Sequence, residues 1–442
     1  MKNIAKTAEQ YRELMVKAER YIWEHPETGY REVETTAYLK EVFEELGYEV
    51  TLADGITGFY TVIDTGREGP EVLMLAELDS VVCHAHESSN KETGAVHACG
   101  HHAQCAALVG IAAVLKTEGV LDSLCGRIRL CAVPAEELLE LEYRSELRRQ
   151  GKIKYYGGKA EFMRRGYFDG VDIAIMVHTA ERARIDGGSV GCLAKNIIYK
   201  GKSAHAGGAP WLGVNALYAA NCGINALNAI RETFREPDLI RVHPIMTSGG
   251  SIVNAIPEEA RIESYVRGAS FEAIAKANAK VNRALIGGAL SLGANIEIID
   301  IPGYSPFKND ENMREVAIEA AEIAGIKDLF ITKATITGST DMGDLSAVMP
   351  TVQPYSAGSR GAGHGKDFVI SDVDAACVDS AKWQLAMLEL LLSDGAQRAK
   401  KVVDEYKPVF ATREEFFAYQ DSLNTSGDRI IYREDGVAEI KL

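Results

Sequence analysis

Residues 97–104 read HACGHHAQ and hold three histidines and one cysteine, in a chain with ten histidines in all. A thiolate and a neutral imidazole are good ligands for zinc-like cations, and Cys99 and His101 have one residue between them. Two donors do not make a site, so others must come from elsewhere. The run VPAEE offers Glu136 and Glu137, the apolar run DIAIMVH stops at His178, and the glycine-rich GAGHGKDF carries His364. Thiolate, imidazole and carboxylate from four separate segments can converge on one pocket. The paired glutamates suit a division of labour: one carboxylate binds a cation while its neighbour takes a proton from bound water, whose pKa a metal lowers to about 7. That is machinery for amide hydrolysis. No C-x-x-C pair is present, so the pattern is unlike a structural zinc site. Metal affinity should fall at low pH, because the thiol and imidazoles must lose their protons to bind. His84, His86 and His243 read as ordinary core or surface residues.

The elements around these residues place them at strand ends. Helices are expected over residues 8–24 and 32–46, where apolar spacing is near 3.6. YEVTLA, GFYTVID and EVLMLAELD read as strands, AQCAALVGIAAVLKTEG as a buried helix ending at Gly119, and GRIRLCAVPAEE as a strand running into a loop. DIAIMVH reads as one continuous strand. Alternating strands and helices predict an α/β fold with a mostly parallel sheet flanked by helices, and ligands of such sheets gather at the C-terminal strand ends. Asp79, residues 134–137 and His178 all fall there.

The middle of the chain has a different plan. GCLAKNIIYKGKSAHAGG reads as a strand pair and SIVNAIPEEARIESYVRG as strand–turn–strand, with two long helices and the strand ANIEIIDIPG completing a β-α-β-β-α-β order. This is a ferredoxin-like α+β unit inserted in the first domain. The expected division is 1–191 and 305–405 for a catalytic domain in two parts, 192–304 for an inserted lid or dimerisation domain, and 406–442 for a polar C-terminal extension.

Composition excludes several partners. With 48 basic and 63 acidic residues the net charge is −15, which disfavours nucleic acid or an anionic membrane surface. No apolar run reaches the roughly 18 residues of a membrane span. The N-terminus reads as an amphipathic helix rather than a signal peptide. The eight cysteines are irregularly spaced and read, apart from Cys99, as reduced core thiols of a cytoplasmic protein.

The ordered motifs HPETGYREVETTAYL, AELDS, HACGH, PAEE, GKSAHAGGAPWLGVNAL and GGSIVNAIPEEARIESYVR resemble those of the co-catalytic metallo-amidohydrolases, the family of aminoacylase, carboxypeptidase G, indole-acetyl-amino-acid hydrolase and aminobenzoyl-glutamate hydrolase. The resemblance spans roughly residues 12–400. It implies two divalent metal ions (zinc or manganese, with cobalt as a further option), an inserted lid or dimerisation domain and a homodimer. It further implies Cys99, His101, Glu137, His178 and His364 as metal ligands and Glu136 as general base. Cys99 matches the branch in which a thiolate stands for a bridging aspartate. Asp79 is implied as the acid that orients a ligand histidine. His205 and Asn254 are implied in stabilising the oxyanion and, with Arg267, in holding the substrate carboxylate. GSTDMGD resembles the substrate-proximal loop, which puts Asp341 near the site.

The chain departs from the family pattern at His102, often Asp or Asn, and at Gln104, often His. His102 is therefore an alternative ligand. The basic stretch 144–166 reads as a solvated helix. The expected activity is hydrolysis of the amide bond of an N-acyl amino acid or related aminoacyl carboxylate. A dipeptidase acting on free dipeptides and a catalytically idle binding relative are the alternatives; the idle one predicts a lost ligand or base, and none is lost.

Overall fold

The computed structural model describes residues 4–442. They form two compact units: residues 4–188, Phe307–Ile336 and Thr340–Ala411 in the first, Ser189–Pro306, Thr337–Ser339 and Thr412–Leu442 in the second.

In the first unit the strand Glu71–Glu77 is buried at every position, as a central strand covered on both faces requires. It runs parallel to Arg127–Val133 on one side and to Ile173–Ile175 on the other. Thr351–Val352 adds a further parallel strand, while Phe59–Asp64 and Thr51–Leu52 close the opposite edge antiparallel. The expected α/β fold with a parallel-rich sheet is the one adopted. The helix His101–Leu115 is buried at all its positions. A helix without a polar face must be covered all round: it lies on Glu71–Glu77, with Arg12–Glu24 and Ser380–Leu392 packed against it. Trp383, fully buried, ties the last of these down through an Nε1–H bond to the Ala317 carbonyl at 2.8 Å.

Two strand expectations are corrected here. YEVTLA contributes only Thr51–Leu52 to the sheet. DIAIMVH does not stay in one sheet: Ile173–Ile175 belongs to the large sheet, whereas His178–Thr179 pairs in parallel with Tyr355–Ser356 in another. The reason lies in the neighbouring chain, which carries the pairing across: the amides of Met176 and His178 donate to the carbonyls of Val352 and Pro354 at 3.2 and 2.9 Å.

The second unit is an antiparallel sheet. Glu259–Gly268 pairs with Gly191–Lys200 and, on its other side, with Arg241–Val242 and Ile245–Ser248; Asn295–Pro302 flanks Gly191–Lys200. Glu259–Gly268 alternates buried and open positions, the period-two pattern of a sheet covered on one face. Ala216–Ala229 and Phe271–Ser291 supply the cover. They approach closely because Gly223 and Gly288 meet: a Cβ on Gly288 would lie 2.3 Å from the Gly223 nitrogen. Lys195 is buried opposite Asp300. Its ammonium bonds that carboxylate and the Asn278 Oδ1, and the Asn278 and Asn282 amides bond the other Asp300 oxygen. A buried ion pair is tolerated only with its remaining polar atoms satisfied in this way.

Two expectations fail in this unit. GKSAHAGG is loop, paired only through isolated bridges of Lys202 with Val214 and of His205 with Ala255. Residues 251–258 form no strand; the partner strand is Ile245–Ser248, upstream. Gly250, at φ +123°, turns the chain between them. The polar C-terminal stretch carries regular structure. The helix Arg413–Leu423 is capped by the Thr412 hydroxyl, and Ile430–Tyr432 pairs with Ala438–Ile440. The amides of Asp300 and Arg429 bond Thr425 O and Ile296 O at 2.8 Å, so this segment lines the outer edge of Asn295–Pro302. Only a few side chains, Phe416 and Ile430 among them, bury in doing so, which leaves almost no apolar period to read. Among the described residues no helix is long and apolar enough to cross a membrane.

Candidate metal centre

The ends of three parallel strands and one loop bring the candidate residues of the first unit together. The chain leaves Glu71–Glu77 at Asp79, leaves Arg127–Val133 into residues 134–137, and carries His178 at the start of its short strand. Cys99 and His101 flank Gly100, which takes φ +89° at the head of the buried helix. A Cβ on Gly100 would sit 3.2 Å from the Thr179 Cβ, so glycine serves both the turn and the close approach. His364 is held at φ +62° by its own amide, which bonds the Ala98 carbonyl at 2.7 Å. Ala135, next to Glu136, lies at φ +55°. Left-handed conformations at non-glycine residues cost energy and concentrate where side-chain direction matters.

Two donor groups share one thiol. Cys99, His101 and His178 form the first, Cys99, Glu137 and His364 the second, and within each group the donor atoms lie within 4.8 Å of one another. Cys99 Sγ is 3.6 Å from His178 Nε2, and His364 Nε2 is 2.9 Å from Glu137 Oε1. Asp79 is fully buried and braces both sides. Its carbonyl lies 2.8 Å from His101 Nδ1, and its Oδ2 accepts the Glu137 amide at 2.8 Å. A proton on Nδ1 leaves the His101 Nε2 lone pair facing the cluster, the usual way an outer acceptor sets a ligand tautomer. That Nε2 is buried without a hydrogen-bond partner, 3.2 Å from Glu77 Oε2 and 4.0 Å from Glu136 Oε2. A buried imidazole nitrogen facing two carboxylates is a chemistry that suits a cation position.

The electrostatics agree with the geometry. Burial and Glu137 push the Cys99 thiol up, but His101 and His178 outweigh them and bring it down to about 6. Burial, then Glu77 and Glu137, raise the Glu136 carboxyl well above the usual range. Burial also opposes ionisation of Glu77, yet Lys159, His101 and His178 together hold it down at about 2.

Glu32 supports the loop that carries Glu136. Its Oε1 accepts the Ala135 amide at 2.8 Å and its Oε2 accepts the Thr57 hydroxyl at 2.5 Å. Burial, then the charge of Asp79, raise its pKa from 4.5 to about 8. The unfolded chain therefore releases this proton near 4.5 and the folded chain only near 8. Rising pH across that window favours unfolding, and the penalty is complete above it. Glu32→Gln lacks this penalty. Its melting temperature relative to the parent should climb from pH 5 to 8 and then level off; a difference flat in pH would exclude the assignment.

The other sequence candidates belong to none of these donor groups among the described residues. His102 is fully buried on the far side of the helix, its Nε2 3.4 Å from Glu19 Oε1 and its ring 5.0 Å from that of Trp23. It belongs to none of the donor groups among the described residues, so it is not the alternative ligand. His205, Asn254 and Arg267 are in the second unit. His205 Nδ1 accepts the amides of Gly207 and Gly208 at 3.2 and 2.8 Å, which places the ring proton on Nε2 as a donor. Ala206 N bonds Asn254 O at 2.9 Å, so these two loops meet. Arg267 lies on the central strand and bonds the Ser339 hydroxyl at 2.7 Å. The basic stretch 144–166 is no solvated helix throughout. Arg144 is buried with its guanidinium on the carbonyls of Glu137 and Tyr156, and Lys159 is buried with Glu77 and Asp341. Glu77 and Lys159 were not singled out in the sequence. The one signal for Glu77 was its place two residues before Asp79 at a strand end; Lys159 was hidden among exposed cations.

A family model described as Peptidase family M20/M25/M40 matches residues 73–389. An N-acetyl-L-cysteine deacetylase of Bacillus subtilis (strain 168) is 29% identical over 332 residues, 71% of this chain and 73% of that protein. A mouse Xaa-Arg dipeptidase is 28% identical over 268 residues, 59% of this chain. That match spans only 57% of the mouse protein's length. A solved Bacillus subtilis structure, described as a dinuclear metal binding peptidase from the M20 family, superposes with a TM-score of 0.65 over 87% of this chain and 99% of its own, at 22% identity. With the family match covering most of its length, this chain belongs to peptidase family M20/M25/M40.

Proposed function

We propose that the chain is a metal-dependent amidohydrolase that cleaves the linear amide bond of N-acyl amino acids or related aminoacyl carboxylates. The observation that carries this is Cys99, shared by two donor groups, with the Glu136 carboxylate beside them. The donor set fits two divalent ions: Cys99, His101 and His178 for one, Cys99, Glu137 and His364 for the other. Mixed sulfur, nitrogen and oxygen donors suit zinc, manganese or cobalt. When bound, such ions polarise a carbonyl and make solvent water acidic enough to attack it.

The chain's own groups do the rest. Asp79 holds His101 with Nε2 toward the site. Glu136 takes a proton from the attacking water and delivers it to the leaving amine nitrogen. His205, with its ring proton on Nε2, and Asn254 are donors for the developing oxyanion, and Arg267 offers a fork for the substrate carboxylate. The substrate is a small carboxylate; the charge of −15 speaks against nucleic acid.

A homodimer joined through the second unit is part of this reading. Ile245–Ser248 is an exposed strand on the sheet's outer side, and Trp211 is 77% and Val253 99% exposed. Unpaired edges and large apolar groups left in water favour a partner. Eight free thiols fit a reducing, cytoplasmic setting.

The match to a mouse Xaa-Arg dipeptidase favours one second reading, cleavage of free dipeptides. Metal-depleted protein, reloaded with zinc, manganese or cobalt and offered N-acetyl amino acids and free dipeptides, separates the two. Amine release from the acylated panel, dependent on metal, is expected. Release from free dipeptides alone establishes the second reading, and release from neither with any metal overturns both.

A further inference from the structure

A buried chain of charges runs behind the donor groups. Lys159 is wholly buried. Its ammonium bonds Glu77 Oε1 at 2.6 Å and also Asp341 Oδ1, and its amide donates to Asp341 Oδ2 at 3.0 Å. The other Glu77 oxygen accepts from Gln104 Nε2 at 2.8 Å. Glu77 is thus held at both oxygens, and yet Oε2 stands 3.2 Å from His101 Nε2, the nitrogen that has no hydrogen-bond partner. A buried carboxylate keeps its charge and its direction only with a cation and donors of its own. Lys159 and Gln104 are those groups. Glu77, His101 and Glu136 also form a donor group of their own, with atoms within 4.8 Å of one another.

We infer that Lys159 is a positioning residue: with Gln104 it fixes the Glu77 carboxylate in front of His101 Nε2, making Glu77 a sixth donor group of the metal centre. This rests on the reading in which Cys99, His101, Glu137, His178 and His364 hold the ions. It differs from a purely structural role for the buried charges, and Asp341 tells the two apart. Asp341 shares Lys159 with Glu77 but, among the described residues, belongs to none of the donor groups. A structural role makes the two carboxylates equivalent; a positioning role does not.

The test is titration of the metal-free protein with cobalt(II) alone, read by thiolate-to-cobalt absorption and by the melting temperature. Glu77→Gln keeps the side-chain shape and leaves Lys159 paired with Asp341. Its amide can donate to His101 Nε2 and block the lone pair. Cobalt affinity should fall tenfold or more in Glu77→Gln and in Lys159→Met, and the double variant should be no worse than either alone, as members of one unit behave. Asp341→Asn should lower the melting temperature but keep cobalt affinity within threefold of the parent. If Lys159→Met does not fold, Glu77→Gln against Asp341→Asn decides. Parent-like cobalt binding in Glu77→Gln, or an equal loss in Asp341→Asn, overturns the inference. Cys99→Ser separates this from failure of the underlying reading. If it keeps the parent's cobalt absorption, the metal centre itself is wrong; if it abolishes it while Glu77→Gln does not weaken binding, only the role of Glu77 and Lys159 falls.

Discussion

Glu136→Gln should lower kcat by about a thousandfold, in the range that loss of a general base brings, while the protein folds and keeps the metal held by Cys99, His101, Glu137, His178 and His364. The substitution keeps the size and planarity of the side chain and removes only its ability to take a proton. Glu136 is nearly buried, on a loop held by the Glu32 bond to the Ala135 amide, so the glutamine has no room to turn away. Glu137, its neighbour, has its backbone fixed by Asp79 Oδ2 and its Oε1 against His364, and cannot take over. Because proton transfer belongs to the transition state, kcat and kcat/KM should fall together with KM little changed. Steady-state kinetics on metal-loaded protein, with metal content measured on the same sample, is the check. A variant with intact metal content and more than a tenth of the parent's kcat would show that Glu136 is not the base.

The second large effect concerns Cys99. It is the one residue present in both sulfur-containing donor groups, so its removal weakens two cation positions at once, whereas loss of His178 or His364 strikes one. Cys99→Ala should therefore reduce bound metal from two equivalents to less than one and cut kcat/KM by well over 100-fold, more than disturbing an outer-shell partner does. His178→Ala should lose about one equivalent. Cys99→Asp, which puts back an anion able to touch both positions, should recover part of the metal and part of the rate. Elemental analysis of dialysed protein beside the kinetics measures both. Two equivalents retained in Cys99→Ala would mean that the thiol bridges nothing.

Much of this arrangement was legible in the residues. The apolar runs announced the central strands, since a parallel strand is covered on both faces and needs no alternation. The run of small and apolar residues after His101 announced a helix buried all round. The paired glutamates and the Cys-x-His spacing announced the donor chemistry. Less legible were elements made by backbone pairing rather than by burial. The strand Ile245–Ser248 is exposed along its whole length, and the C-terminal segment attaches to a sheet edge through amides and carbonyls. Neither leaves an apolar period. The second histidine of the motif misled for a different reason. His102 is next to His101, but adjacent helix positions point about 100° apart, so one ring enters the cluster and the other meets Glu19 and Trp23.

By itself the sequence determined which chemistry was available: a thiol, imidazoles and a carboxylate pair, at the ends of segments whose hydrophobic pattern specifies a parallel-rich α/β sheet. Those are local properties, set by side-chain type and by periodicity along the chain. Only the tertiary structure decided which donors share a position, that Cys99 stands in both sulfur-containing groups, that His102 faces away, and that Lys159 among many cations is the one buried against Glu77. These depend on distances between segments far apart in the chain. Such distances follow from how the strands are ordered in the sheet and how the helices pack on it, and no stretch of sequence read alone contains them.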